Sequence, residues 1–234
     1  HLAWLPRRRL ARAPASFRGD DMSSLELRQV VIRRGGQPLF APLSLVVAAG
    51  RPVTIMGPSG SGKSSLLAWI TGMLPEGLEG AGEVLLDGRS LRDLPPNRRG
   101  LGILFQDDLL FPHMTVGENL GFGLPPAAIG HDRRQKISAA LEQIELAGFA
   151  DRDPATLSGG QRARVALLRA LLSLPKALLL DEPFSKLDVS LRDRFRSLVF
   201  QSAEHLPVLL VSHDPSDLAP GGQIVELQPQ HKAV

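Results

Sequence analysis

The sequence predicts an α/β fold with a mainly parallel core sheet, an antiparallel β part near its N-terminal end and an inserted helical segment. Three observations point there. The run Pro52-Val53-Thr54-Ile55-Met56 is apolar and rich in β-branched residues, and it feeds a glycine-rich loop followed by the helix-like stretch Ser65-Leu66-Leu67-Ala68-Trp69-Ile70. Two later runs, Ala177-Leu178-Leu179-Leu180 and Val208-Leu209-Leu210-Val211, are continuously apolar, as strands buried on both faces of a parallel sheet are. Between the loop and these runs, residues 107–156 carry Pro112, Pro125 and Pro126 and then an amphipathic stretch from Arg133 to Leu146, which reads as mainly helical.

Taken in order, residues 1–22 show no periodicity and combine Pro6 and Pro14 with clustered arginines. They read as a disordered leader or a remnant of an upstream start or of cloning, with a membrane-surface arm as the functional alternative. No apolar stretch follows the arginines, which argues against a secretory signal. Residues 23–230 read as a single domain. Two strands between Leu25 and Val47 flank Gly35-Gly36 as an antiparallel hairpin. After the glycine-rich loop and its helix, Glu83-Val84-Leu85-Leu86 forms a strand turning at Asp87-Gly88, and Leu101–Phe105 forms another that leads into Gln106. Leu157-Ser158-Gly159-Gly160-Gln161 opens a helix running to Leu172. A further helix covers 190–203, and the last strand is expected at 223–227.

Length and composition narrow the function classes. The 234 residues suffice for one large α/β domain, and a hydrophobic content of 43% supports a substantial core. No run of eighteen apolar residues occurs, so no membrane-spanning helix is expected. The absence of cysteine excludes disulfides and thiolate metal sites and suits a reducing cytosol. The net charge of +3 sits in the leader: five of the 27 Lys and Arg and two of the 24 Asp and Glu fall in residues 1–21, leaving the rest of the chain neutral. Nucleic acid is therefore not expected as a partner.

The chemistry concentrates in Gly57-Pro58-Ser59-Gly60-Ser61-Gly62-Lys63-Ser64, which fits the G-x-x-x-x-G-K-[ST] phosphate loop and lies between a strand and a helix as that loop must. Gly57, Gly60 and Gly62 allow a sharp turn that brings backbone N–H groups to phosphate oxygens, and the positive end of the following helix faces the same anion. Lys63 supplies a charge for the β- and γ-phosphates, and the Ser64 hydroxyl is placed to bind Mg²⁺. A nucleotide is expected here.

Together with Gln106, Leu157–Gln161, Leu178–Glu182 and His213, all in the family's order, the loop makes residues 24–228 resemble the ATP-binding subunit of an ABC transporter. The resemblance implies an ABC ATPase of the P-loop NTPase fold that binds ATP and Mg²⁺. Asp181 then corresponds to the carboxylate that holds Mg²⁺, Glu182 to the general base that activates water, and His213 to the switch histidine at the γ-phosphate. Gln106 matches the glutamine that senses Mg²⁺ and couples the site to the membrane partner. Ser158, Gly159, Gly160 and Gln161 match the signature that acts in trans on the ATP of a second copy, giving a head-to-tail dimer with two ATP molecules sandwiched. Asp188, in Ser185-Lys186-Leu187-Asp188, resembles the loop that links the two sites; Lys186 stands where the family more often has Ala.

The family's adenine-stacking aromatic is missing. Arg34 occupies its place, and a guanidinium can stack on a flat ring. The stretch Asn97-Arg98-Arg99-Gly100 through Phe105-Gln106-Asp107 to Phe111-Pro112-His113-Met114-Thr115, with Pro154 three residues before Leu157, is most similar to bacterial importers of thiamine, iron, polyamines or oxyanions. The resemblance therefore implies an ATPase peripheral to the cytoplasmic face of the plasma membrane. Its partners would be an integral membrane permease and an extracytoplasmic substrate-binding protein. The chain ends 21 residues after His213, leaving no room for a C-terminal regulatory domain. An exporter or lipoprotein-release ATPase and a soluble non-transport ABC ATPase are the alternatives.

Overall fold

The computed structural model describes residues 23–126, 128–219 and 221–230, so the leader lies outside the described residues. In chain order the strands are β1 (Ser24–Arg34), β2 (Gln37–Pro38), β3 (Leu43–Ala48), β4 (Val53–Met56), β5 (Leu78–Leu86), β6 (Arg89–Ser90), β7 (Leu101–Leu104), β8 (Ala177–Asp181), β9 (Val208–Ser212) and β10 (Gln223–Glu226). The helices are α1 (Lys63–Thr71), α2 (Val116–Gly123), α3 (Gly130–Gln143), α4 (Gly159–Leu172) and α5 (Val189–Ser202). They divide between a sheet unit, residues 23–107 with 175 onward, and a helical unit, residues 108–174.

In the sheet unit, the continuous apolar runs form a five-stranded, all-parallel sheet in the order β10-β4-β9-β8-β7. Ala177–Leu180 and Val208–Ser212 are fully buried, as their lack of alternation requires. The second sheet is antiparallel, with β1 paired to β2, β3 and β5. Its first turn does fall at Gly35-Gly36, but the strand it leads into is only the two residues of β2; the long partners of β1 are β3 and β5. The core gathers Leu25, Leu27 and Ile32 from this sheet and Phe40 from the β2–β3 connection with Ile55, Leu66, Leu67, Leu179, Leu209 and Val211.

Strand β5 begins at Leu78, five residues before the strand expected from sequence, because Leu78-Glu79-Gly80-Ala81-Gly82 lacks the branched and aromatic residues that mark strands. Its glycines answer tertiary demands instead. A Cβ on Gly80 would lie 2.2 Å from the Trp69 ring, and one on Gly82 would lie 2.5 Å from the carbonyl of Gln29. Gln29 is the left-handed residue (φ 49°) where the β1 register slips.

The helical unit holds α2, α3 and α4. It runs on to Leu174 and so includes the helix opened by Ser158-Gly159-Gly160, which lies beyond the 107–156 read from sequence. Among the described residues, no helix is long and apolar enough to cross a membrane.

Candidate active site

In the parallel sheet, Met56 of β4 lies level with Ser212 of β9, Asp181 of β8 with Val211, and Leu104 of β7 with Leu180. Four chain segments therefore leave the sheet at one edge: the phosphate loop after β4, Asp181-Glu182 at the end of β8, His213 after β9, and Phe105-Gln106 after β7. The carboxyl edge of an open parallel sheet is where such folds bind ligands, because there the connecting loops diverge and helix N-termini converge.

The phosphate loop leads straight into α1. Gly62 is the residue before the helix and has φ 94°, a conformation L side chains avoid. A Cβ there would also sit 3.0 Å from the Phe40 ring, a tight contact that adds to the preference for glycine. Phe40 itself is completely buried and supports the loop from beneath. Lys63 is only 5% exposed, and its Nζ donates to the carbonyls of Gly57 at 2.7 Å and Pro58 at 2.9 Å. Burial lowers the Lys63 pKa, with the carboxylates of Glu182 and Asp181 acting against that shift. The Ser61 hydroxyl is buried without a protein partner. A buried, unsatisfied hydroxyl among backbone N–H groups fits a loop built to receive external oxygens, as phosphate would supply.

Ser64 Oγ donates to Asp181 Oδ1 at 3.1 Å. Burial raises the Asp181 pKa as the largest influence, the Ser64 bond lowers it, the Glu182 charge raises it and Lys63 lowers it. A hydroxyl and a carboxylate this close are hard oxygen donors of the kind Mg²⁺ takes from protein while drawing its other ligands from phosphate and water. Among the described residues, no cluster of three or more His, Cys, Asp and Glu offers a competing metal site.

Glu182 has φ 45°, left-handed for a residue with a side chain, a strain of about 1–3 kcal/mol. Its N–H donates to the Val211 carbonyl at 3.0 Å, and its carbonyl accepts from Ser185 Oγ at 2.9 Å. This turn carries the side chain to His213, whose Nδ1 lies 3.0 Å from Glu182 Oε1. The carboxylate is largely sheltered and the imidazole more than half exposed.

Gln106 is exposed beyond β7. Asp188 is the N-cap of α5 and accepts from Leu191 N–H at 2.9 Å, while the neighbouring Lys186 pairs with Asp107 beside Gln106. Arg34 ends β1, exposed, in register with Gln37 and Leu78. In the helical unit, Ser158 caps α4: its Oγ accepts from Gln161 N–H, and Gln161 Oε1 accepts from Ser158 N–H at 2.9 Å. This capping box, Ser-x-x-Gln in the sequence, starts a 14-residue helix, and the free N–H groups and positive end of such a helix favour anions.

A group around His213 escaped sequence reasoning. Ser212 Oγ donates to Asp217 Oδ2 at 2.7 Å and accepts from Asp214 N–H at 3.0 Å. Arg192, on α5, donates to Asp214 Oδ2 and to Ser216 Oγ at 2.9 Å. No motif marks these residues.

Comparison with known proteins bears on the same site. Residues 40–185 match the family model described as ABC transporter. The chain is 48% identical over 203 residues to the ABC transporter ATP-binding protein YnjD of Escherichia coli, covering 86% of this chain and 94% of that protein. It is 43% identical over 196 residues to the thiamine import ATP-binding protein ThiQ of Cereibacter sphaeroides, covering 82% and 83%. It is 40% identical over 200 residues to the Fe(3+) ions import ATP-binding protein FbpC of Photorhabdus laumondii, covering 82% of this chain but 55% of the relative. Among solved structures, a bacterial Atm1-family ABC exporter with ATP bound superposes with a TM-score of 0.74 at 28% identity, over 93% of this chain and 39% of the exporter chain.

Proposed function

The chain belongs to the ABC transporter family, and on that premise we propose that it is the ATP-hydrolysing subunit of an importer, driving solute inward through a separate membrane permease. The observation that carries the chemistry is the shared sheet edge, with Ser64 bonded to Asp181 and His213 in contact with Glu182.

Backbone N–H groups of residues 59–64 hold the phosphates, and Lys63 exchanges its bonds to the Gly57 and Pro58 carbonyls for the β- and γ-oxygens of ATP. Ser64 and Asp181 would hold Mg²⁺, with Gln106 after β7 as a further oxygen donor, and the ion would supply charge to neutralise the phosphates. Glu182 accepts the proton of the water that attacks the γ-phosphorus, while the bond from that phosphorus to the β–γ bridging oxygen breaks and ADP leaves. His213 keeps its Nδ1 on that carboxylate, so the base is oriented before substrate arrives. Ser158, Gly159, Gly160 and Gln161 offer their helix N-terminus to the γ-phosphate of a second copy, which makes the working unit a two-fold dimer with Asp188 near its join. Arg34 offers a guanidinium face to adenine in place of an aromatic ring.

Import is supported by ATP-binding proteins named for import that match at 38–43% identity across most of this chain. A peripheral position on the membrane, held by the permease, follows from the same reading, as does an extracytoplasmic binding protein that delivers the solute. The test is affinity purification of the tagged chain from native membranes with mass spectrometry of its companions. A multi-span permease together with an extracytoplasmic binding protein is the expected result. A permease without any binding protein would favour export, and recovery of soluble proteins alone would overturn transport.

A further inference from the structure

Asp188 and His213 lie on different loops, yet a short path of named contacts joins them. Asp188 caps α5, and Arg192 stands one turn along that helix, its N–H donating to the Asp188 carbonyl at 2.9 Å. The Arg192 guanidinium reaches Asp214, the residue after His213, and Ser216 in the same turn. Asp214 is fixed further: its Oδ1 accepts from the Ser216 N–H at 2.9 Å and from Ser216 Oγ at 2.8 Å, and its N–H donates to Ser212 Oγ. His213 sits between these anchored neighbours with its own Nδ1 on Glu182.

We propose that Arg192 is a positioning residue that sets the orientation of His213, and through it of Glu182, according to the placement of the Asp188 loop. The inference rests on the assignment of Glu182 and His213 given above and adds a residue that neither a motif nor a phosphate contact identifies.

Two features set this network apart from a surface staple. The Arg192 side chain is 20% exposed and its bonded partner Asp214 34%, while Asp217 behind them is 2% exposed, so the guanidinium lies between a half-buried carboxylate and a buried one. Within it, Arg192 Nε and Asp217 Oδ1 are buried without hydrogen-bond partners, and Arg192 Nη1 stands 3.9 Å from Asp217 Oδ1. Buried polar groups seldom stay unsatisfied. A small rotation of the guanidinium exchanges Asp214 for Asp217 as its partner, so the His213 turn has two hydrogen-bonded arrangements, and a shift of the α5 N-terminus selects between them. Arg196, one turn further on, donates to the Ser216 carbonyl and forms the far end of the same attachment.

The experiment compares steady-state ATP hydrolysis, ATP affinity and thermal melting for wild type, Arg192→Ala, Arg192→Lys, Asp214→Asn, the Arg192→Ala/Asp214→Asn double variant and Arg194→Ala. Arg194 is exposed on the same helix and serves as the control. Arg192→Ala is expected to lose about 10- to 100-fold in kcat, the range for groups that orient a catalytic residue, with KM and ATP affinity within about 2-fold of wild type. Arg192→Lys restores part of the rate, added guanidinium ion rescues Arg192→Ala but not Asp214→Asn, and the double variant loses no more than the worse single one. Arg194→Ala stays at the wild-type rate.

A wild-type kcat in Arg192→Ala overturns the proposal, as does a loss that appears equally in ATP affinity and is not rescued by guanidinium. Should Arg192→Ala fail to fold, Arg192→Lys and Asp214→Asn decide alone: full activity in both overturns it. Glu182→Gln, measured alongside, separates the two levels. If that variant turns over like wild type, the assignment of the base fails; if it collapses while Arg192→Ala does not, only the positioning role fails.

Discussion

The sheet unit and the helical unit hold their functional residues by different means. In the sheet unit, the two carboxylates and the phosphate loop take their position from the backbone, and only the His213 turn is also gripped by side chains, those of Arg192 and Arg196 on α5. Asp181 is the last residue of a buried strand, Glu182 N–H is tied to the Val211 carbonyl, and the phosphate loop begins where β4 stops. In the helical unit, loops are fastened by side chains reaching from helices. Arg162 bonds Asp108 and the Leu157 carbonyl, Arg169 bonds the carbonyls of Asp108 and Leu109, and Arg164 bonds that of Ile144. Asn119, completely buried on α2, donates to the carbonyls of Phe111, Met114 and Thr115 and accepts from the Phe111 N–H. A side-chain change at the sheet edge should therefore alter chemistry and spare the fold, whereas one in the helical unit should loosen the fold itself.

The sharpest break between the two is expected at Glu182→Gln. Phosphate release should fall by about 10²- to 10⁴-fold, the contribution of a positioned general base, while the melting temperature and ATP affinity stay close to wild type. Loss of stability instead of turnover would erase the contrast. Asn119→Ala is the converse. Truncating it leaves buried backbone groups unpaired, so chemical denaturation should show destabilisation of about 2–4 kcal/mol. A change below about 0.5 kcal/mol would mean that the helical unit does not depend on its side-chain fastenings.

Ser158 sits on both sides of the comparison, and two substitutions separate them. Ser158→Ala removes the cap and should reduce stability by about 1 kcal/mol. Ser158→Asp keeps a capping acceptor but places a negative charge where a phosphate is to be met. Its denaturation curve should match wild type while hydrolysis is abolished and ATP affinity of the monomer is retained. Normal turnover in Ser158→Asp would remove the case for a site shared between two copies. The smallest effect is expected at adenine. With Arg34 offering the stacking face, competition binding should give ATP and GTP affinities within a few-fold of each other, and Arg34→Ala should weaken both by about 0.5–1 kcal/mol, the value of an exposed cation–π contact. A strong ATP preference that survives Arg34→Ala would send the search for the adenine platform elsewhere.

Much of this architecture could be read from the chain because local chemistry demanded it. Continuous apolar runs at 177–180 and 208–211 permit only strands covered on both faces, and Gly62 before Lys63 permits only a left-handed turn into a helix. The Ser158 and Thr115 capping boxes are likewise written in four residues each. Strand β5 was less legible, since Gly80 and Gly82 lower strand propensity and their purpose is to clear Trp69 and Gln29, residues distant in sequence.

The sequence by itself determined which groups are available: a phosphate loop, a carboxylate pair after an apolar strand, a histidine after another, and a capped helix opening with two glycines. Only the tertiary structure decided their mutual geometry. Parallel register puts Met56 beside Ser212 and Asp181 beside Val211, so loops more than a hundred residues apart meet at one edge. The contact between Glu182 and His213 and the bond from Ser64 to Asp181 follow from that register, and the grip of Arg192 on the His213 turn is added by α5. The reason is physical. Hydrophobic pattern and turn chemistry act over a few residues, while hydrogen-bond partners across a sheet are chosen by burial of the whole core.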